Sequence, residues 1–118
     1  MRKSKKRDAI YEALCSTTAH PSAEWLYSQL KSQIPDLSLG TVYSNLSVFK
    51  QNGTAICVGV VDGKERFDGN VSPHAHFVCR TCDAVIDIWD ISLPEHPELP
   101  GNIESWQLNY YGICENCI

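Results

Sequence analysis

His74-Ala75-His76-Phe77-Val78-Cys79-Arg80-Thr81-Cys82 is the stretch on which the reading of this chain turns. The two residues between Cys79 and Cys82 let both thiolates of one turn point at a single ion. Cys114-Glu115-Asn116-Cys117 repeats that spacing near the end of the sequence. Two such pairs complete a tetrahedron of four sulfurs, a soft donor set that suits Zn2+ and leaves no position open. The reading is therefore a closed, structural zinc site at Cys79, Cys82, Cys114 and Cys117. Metal binding and folding are coupled in such sites, so the ion contributes on the order of 10 kcal/mol to the folded state. A redox Cys-x-x-Cys pair is the competing reading, but it has no need of a second pair. Cys15 and Cys57 lie in apolar patterns and read as core thiols.

Working outward from the sulfurs, His74 and His76 are one residue apart, so on an extended strand both imidazoles face one side. A Cys2His2 site made of His74, His76, Cys79 and Cys82 is an alternative, but it strands Cys114 and Cys117. The better arrangement is the four-sulfur site plus a second metal site resting on the histidines, with His20, Asp68 and Asp87 as candidate additional ligands. Each also has an ordinary structural reading. His20 can cap a helix, Asp68 can serve a turn, and Asp87 can face solvent on the alternating strand Ala84-Val85-Ile86-Asp87-Ile88-Trp89. His96 lies in the Pro-rich segment Ser92–Pro100 and reads as exposed.

The 118 residues, 43% hydrophobic and 20% charged, have the balance of a globular protein with one ordinary domain or two small ones. No apolar run approaches the roughly 20 residues of a membrane helix, and no membrane partner is expected. The basic start, Met1 to Arg7, is not followed by an apolar segment, so no secretory signal is expected and a reducing cytoplasmic compartment is the default. Six cysteines there call for an explanation other than disulfides. The net charge of −4 hides a split: residues 1–67 carry nine Lys/Arg and six acids, whereas residues 68–118 carry Arg80 alone against eight acids. Two modules with different partners would produce this, the basic one facing phosphates and the acidic one holding cations.

The basic half reads as three short helices and a hairpin. Ala9, Ile10, Ala13 and Leu14 recur at helical spacing behind Ser4 as N-cap. Ser22 can cap a second helix with the stripe Leu26, Leu30 and Ile34, ended by Pro35-Asp36. Ser38 can cap a third, with Val42, Leu46 and Phe49 inward and Gly53 past its end. Asp62-Gly63 between Ala55–Val61 and Glu65–Phe67 is a hairpin turn. This is the pattern of a winged helix-turn-helix, whose third helix enters the major groove. Ser38, Thr41, Tyr43, Ser44, Asn45 and Lys50 are its candidate DNA contacts. A helical module that binds another protein is the competing reading. No nucleophile–base pair appears, so an enzyme is the least expected class.

In combination these stretches resemble the ferric uptake regulator (Fur) family. The matching segments are His20-Pro21-Ser22-Ala23-Glu24, Leu39-Gly40-Thr41-Val42-Tyr43-Ser44-Asn45-Leu46, Arg66-Phe67-Asp68, the block His74–Cys82, and Tyr111-Gly112-Ile113-Cys114-Glu115-Asn116-Cys117. Within the family the pattern is most similar to the peroxide-sensing PerR branch. The resemblance implies an α+β protein, with a winged-helix DNA-binding domain at 1–67, a hinge at 68–73 and a metal-binding dimerisation domain at 74–118. It implies a homodimeric repressor on double-stranded operator DNA, with a structural Zn2+ and a regulatory Fe2+ or Mn2+. By position the regulatory ligands become His20, Asp68, His74, His76 and Asp87. Peroxide is then expected to oxidise His20 or His74 to 2-oxo-histidine, with loss of the metal and release of DNA. A regulator of iron, manganese or zinc uptake that responds only to metal level, and a zinc-stabilised interaction module, are the alternatives. Family members usually carry a further N-terminal helix, so either Arg2–Arg7 substitutes for it or DNA binding is weakened, and Ser92–Pro100 replaces a segment that is often helical.

Overall fold

A computed structural model describes residues 4–89, 99–102 and 106–118. Arg2, Lys3, His96 and most of the segment Ser92–Pro100 lie outside the described residues. The chain divides into two compact units, Met1–Ser72 and Pro73–Ile118.

The first unit is built from α1 (Lys5–Cys15), α2 (Ala23–Leu30), α3 (Leu39–Gln51), β1 (Ile56–Val61) and β2 (Lys64–Asp68). Each helix starts where a serine satisfies an orphan N–H of the first turn. Ser4 Oγ accepts from Arg7 N at 3.2 Å, Ser22 Oγ from Trp25 N at 3.2 Å, and Ser38 Oγ from Thr41 N at 3.1 Å. The α2 helix stops at Leu30, short of the end of its apolar stripe. Ile34 still packs against the core, but from a turn. Lys31 Nζ holds that turn by donating to Pro35 O (2.7 Å) and Leu37 O (2.8 Å). Gly53 follows α3 at φ 77°, the left-handed position that ends a helix without a Cβ penalty.

Ile10, Leu14, Leu26, Val42, Leu46 and Phe49 meet in one core, closed by Phe67 from β2. Each such side chain, removed from water, contributes about 1.5–3 kcal/mol. The β1–β2 hairpin turns through Asp62 (φ 52°) and Gly63 (φ 75°), so both central residues have the positive φ of a two-residue type I′ turn. The segment after β2 stays on this unit. A Cβ on Gly69 would lie 2.8 Å from Cys15 Sγ, and Asn70 N donates to Asp68 Oδ1 (2.8 Å). Cys15, expected in the core, is exposed: it follows Leu14, and one helical step carries it off the buried stripe. Cys57 is half-buried against the core.

The second unit is a three-stranded sheet in the order β4-β3-β5, with β3 at Ala75–Cys79, β4 at Val85–Ile88 and β5 at Asn109–Gly112. The β3–β4 pair is antiparallel, with His76 opposite Asp87. The β3–β5 pair is parallel, with Cys79 opposite Gly112. Phe77 lies between Ile86 and Tyr110, so the three side chains share one face as an apolar row. Among the described residues no helix is long and apolar enough to cross a membrane.

Candidate metal centres

The parallel pairing of β3 and β5 decides the first centre, because it sends both Cys-x-x-Cys segments off the same end of the sheet. After β3 the chain turns tightly. Asp83, at φ 61°, donates its N–H to Cys79 O (3.0 Å), and Cys79 N donates to Ala84 O (2.9 Å). After β5, Arg80 N reaches Gly112 O at 2.8 Å and holds the two segments together. Cys79, Cys82, Cys114 and Cys117 bring their sulfurs within 4.8 Å of one another, and no disulfide joins them. Cys82 Sγ and Cys114 Sγ are 3.8 Å apart. That matches the sulfur–sulfur edge of about 3.8 Å in a tetrahedron whose metal–sulfur bonds are about 2.3 Å.

The electrostatics also fit a cation. The backbone N–H of Cys114 (3.3 Å) and that of Cys82 (3.4 Å) both donate to Cys79 Sγ and bring its thiol down to about 6. Contacts with the sulfurs of Cys114 and Cys82 push Cys117 in the opposite direction, to about 12. The backbone N–H of Ala84 pulls the Cys82 thiol down, but the Cys79 sulfur, burial and the Cys114 sulfur outweigh it, so Cys82 is raised as well. Cys82 and Cys117 thus resist ionising beside Cys79, and a divalent cation among the sulfurs would relieve that repulsion.

The nitrogen and oxygen donors fall into two sets, one in each unit. In the second unit Asp87 Oδ1 lies 2.7 Å from His74 Nε2 and 3.3 Å from His76 Nε2, and the two imidazole rings are 4.4 Å apart. Both histidines are buried, and the β3–β4 register puts His76 directly across from Asp87. The Trp89 ring stacks on His74 at 4.1 Å and an interplanar angle of 21°. In the first unit His20 Nε2 is 3.3 Å from Asp68 Oδ2, and both residues are buried. Buried His/Asp clusters of this kind suit divalent iron, manganese or zinc better than they suit a soft monovalent ion.

His20 does not cap α2, a role taken by Ser22. It sits in the preceding loop at φ 53°, left-handed for a residue that carries a Cβ. Arg66 Nε donates to His20 O and Arg66 Nη2 to Ala19 O (2.8 Å), while Phe67 N donates to Pro21 O (2.9 Å). Neither Arg66 nor Trp89 was singled out from the sequence. Arg66 appears in the sequence only within the motif Arg66-Phe67-Asp68 and Trp89 only two residues after Asp87, and neither placement has a chemical meaning until the fold is known.

On α3 the candidate DNA contacts separate. Tyr43, Ser44 and Lys50 are exposed. The Tyr43 hydroxyl donates to Glu24 Oε1, which raises the phenol and lowers the carboxyl. Lys50 Nζ lies 3.3 Å from Glu65 Oε1. Ser38 Oγ and Thr41 Oγ1 bond each other at 2.8 Å, and Ser44 Oγ donates to Gly40 O at 2.9 Å. Asn45 differs from the others. It is buried, its Nδ2 donates to Thr41 O (2.9 Å), and its Oδ1 accepts from Arg7 Nε (2.8 Å). Its amide therefore ties α1 to α3 rather than facing solvent.

Comparison with known proteins agrees with these features. A sequence profile of the Ferric uptake regulator family matches residues 1–109. The chain is 32% identical over 117 residues to the Peroxide operon regulator of Bacillus subtilis strain 168, covering 95% of this chain and 81% of that protein. The solved structure of the Helicobacter pylori ferric uptake regulator superposes with a TM-score of 0.80 at 18% identity, over 99% of this chain and 82% of that one. That of the Campylobacter jejuni peroxide stress regulator superposes with a TM-score of 0.75 at 23% identity, over 95% and 88%. The last two establish the fold, and the profile and the relative establish the kinship: this chain belongs to the ferric uptake regulator family.

Proposed function

We propose that the protein is a metal-dependent, DNA-binding transcriptional repressor that senses peroxide, acting in the cytoplasm as a homodimer on double-stranded operator DNA. The observation that carries this reading is the pair of buried His/Asp clusters, separate from the four-sulfur centre, in a chain whose curated relative is a peroxide operon regulator. Cys79, Cys82, Cys114 and Cys117 would hold Zn2+; His20, Asp68, His74, His76 and Asp87 would together hold one Fe2+ or Mn2+. Bound Fe2+ supplies the one-electron chemistry by which peroxide oxidises a neighbouring side chain, which Mn2+ does not.

The chain's own residues supply the rest. His20 and Asp68 belong to the unit that carries α3, and His74, His76 and Asp87 to the unit that carries the zinc sheet. A shared ion therefore favours those arrangements of the two units in which both clusters face it. If DNA binding needs the same arrangement, metal and operator strengthen each other's binding. Oxidation of His20 or His74 removes a donor from one cluster and with it that bias. The exposed side chains of α3 would read the major groove, and Lys50 would take a phosphate. The apolar row Ile86–Phe77–Tyr110, with Ile86 and Tyr110 each nearly half exposed, supports association of the second unit with its copy.

His74→Ala tests the reading. It should abolish Mn2+-stimulated operator binding and leave one zinc per chain; unchanged operator affinity overturns the proposal. Iron-loaded protein given peroxide should gain one oxygen atom in the peptide that contains His20 or His74. Lost DNA binding without that gain would favour regulation by metal level alone.

A further inference from the structure

The grip of β2 on the His20 loop carries one further inference. The carbonyls of Ala19, His20 and Pro21 are held by two adjacent strand residues: Arg66 takes the first two through Nη2 and Nε, and Phe67 N takes the third. The next residue along the strand is Asp68, whose Oδ2 faces His20 Nε2 at 3.3 Å. One short strand thus fixes the main chain of one cluster member and supplies the side chain of the other.

The grip matters because of what it holds. His20 is left-handed at φ 53° and is followed by Pro21, so its backbone occupies a region that few residues with a Cβ adopt, and the proline narrows its other choices. Such a conformation persists only where the surroundings over-determine it. The planar, forked guanidinium suits this task, since two of its N–H groups meet two successive carbonyls at once; an ammonium is a point charge and lacks the fork. Phe67 is fully buried and anchors the strand in the core.

We propose that Arg66 is a positioning residue for the regulatory metal: by clamping the Ala19 and His20 carbonyls it holds the His20 imidazole opposite Asp68. This rests on the reading that His20 is a ligand. Outer partners that orient ligands are typically worth about 10- to 100-fold in metal affinity, and Arg66→Ala should weaken Mn2+ binding by that factor. Arg66→Lys, which keeps the charge and the stem, should lose less.

The test is a double-mutant cycle on the full chain in its zinc-loaded form, with Mn2+ alone titrated into wild type, R66A, H20A and R66A/H20A. In the H20A background the R66A change should have almost no further effect on Mn2+ affinity, because there is no imidazole left to position. A residue that only stabilised the hairpin would weaken Mn2+ binding equally with and without His20, and that additive result overturns the proposal. So does wild-type affinity in R66A beside weakened binding in H20A. Unchanged affinity in H20A removes the underlying ligand assignment and the proposal with it. Should R66A fold poorly, the same cycle run with R66K decides by the same criterion.

Discussion

Zinc affinity should climb steeply with pH, at a rate set by the thiols of the four-cysteine centre. The perturbation is to load metal-free protein at different pH values. A zinc ligand must be a thiolate, so every thiol still protonated in the metal-free protein gives up a proton on binding. Cys79 titrates at about 6 and supplies no proton near neutrality. Cys82 is raised and Cys117 is pushed up to about 12, so both enter the site protonated. At least two protons therefore leave per ion. Each displaced proton adds one decade of affinity per pH unit, so binding should tighten at least 100-fold between about pH 7 and pH 8, equivalent to about 2.7 kcal/mol. The sign is fixed: acid weakens binding, and below about pH 6 the slope steepens as Cys79 also protonates. Competition against a chromophoric chelator gives the slope. Calorimetry in two buffers of different ionisation enthalpy counts the protons independently. Cys117→Ser should lower the slope by about one, because its proton is no longer displaced. A slope clearly below two in the wild type would refute the reasoning, since it would mean that a thiolate beyond that of Cys79 exists before the metal arrives or that fewer than four sulfurs bind.

Three further outcomes follow from the packing. Asn45→Ala removes both bonds of the amide that joins Arg7 to Thr41 O, and should cost about 1–3 kcal/mol in urea unfolding of the zinc-loaded protein; a loss of operator affinity with no loss of stability would return Asn45 to the DNA face. Phe67→Ala empties the centre of the first unit and should cost about 3–5 kcal/mol by the same measurement. Trp89 stacks on His74, so Mn2+ should quench its fluorescence, and Trp89→Phe should abolish that quenching while Trp25 and Trp106 still emit; quenching that survives the substitution would place the metal elsewhere.

The features legible in the amino-acid order are those that depend on neighbours in sequence. A serine three residues before a free N–H is a local geometry, so Ser4, Ser22 and Ser38 could be read as helix starts. Asp62-Gly63 is a local choice of φ, and the two-residue spacing of each cysteine pair is a local turn. The features that escaped depend on residues far apart. Asn45 reads as a surface amide in the sequence because its partner, Arg7, is 38 positions away. The α2 helix stops at Leu30 and Lys31 holds carbonyls of the following turn, an arrangement that the stripe of Leu26, Leu30 and Ile34 does not reveal. The left-handed His20 has its carbonyl held by Arg66, 46 positions on, a partner that the local sequence does not disclose. The parallel strand Asn109–Gly112 has no strong pattern of its own and is recruited by β3. For the candidate metal residues, the donor types and the two cysteine knuckles are legible locally; which histidine meets which carboxylate is a matter of strand register.

That recruited strand has a consequence for synthesis. Cys114 lies 35 positions beyond Cys79, and the sheet needs its last strand beside its first. While the ribosome is still extending the chain, the early knuckle of Cys79 and Cys82 can offer a zinc ion only half a coordination shell. The first unit, complete by Ser72, lies wholly upstream of both cysteine pairs. Metal capture in the second unit thus waits for Cys114, and a nascent chain stalled before it carries two unsatisfied thiols open to oxidants or to the wrong ion.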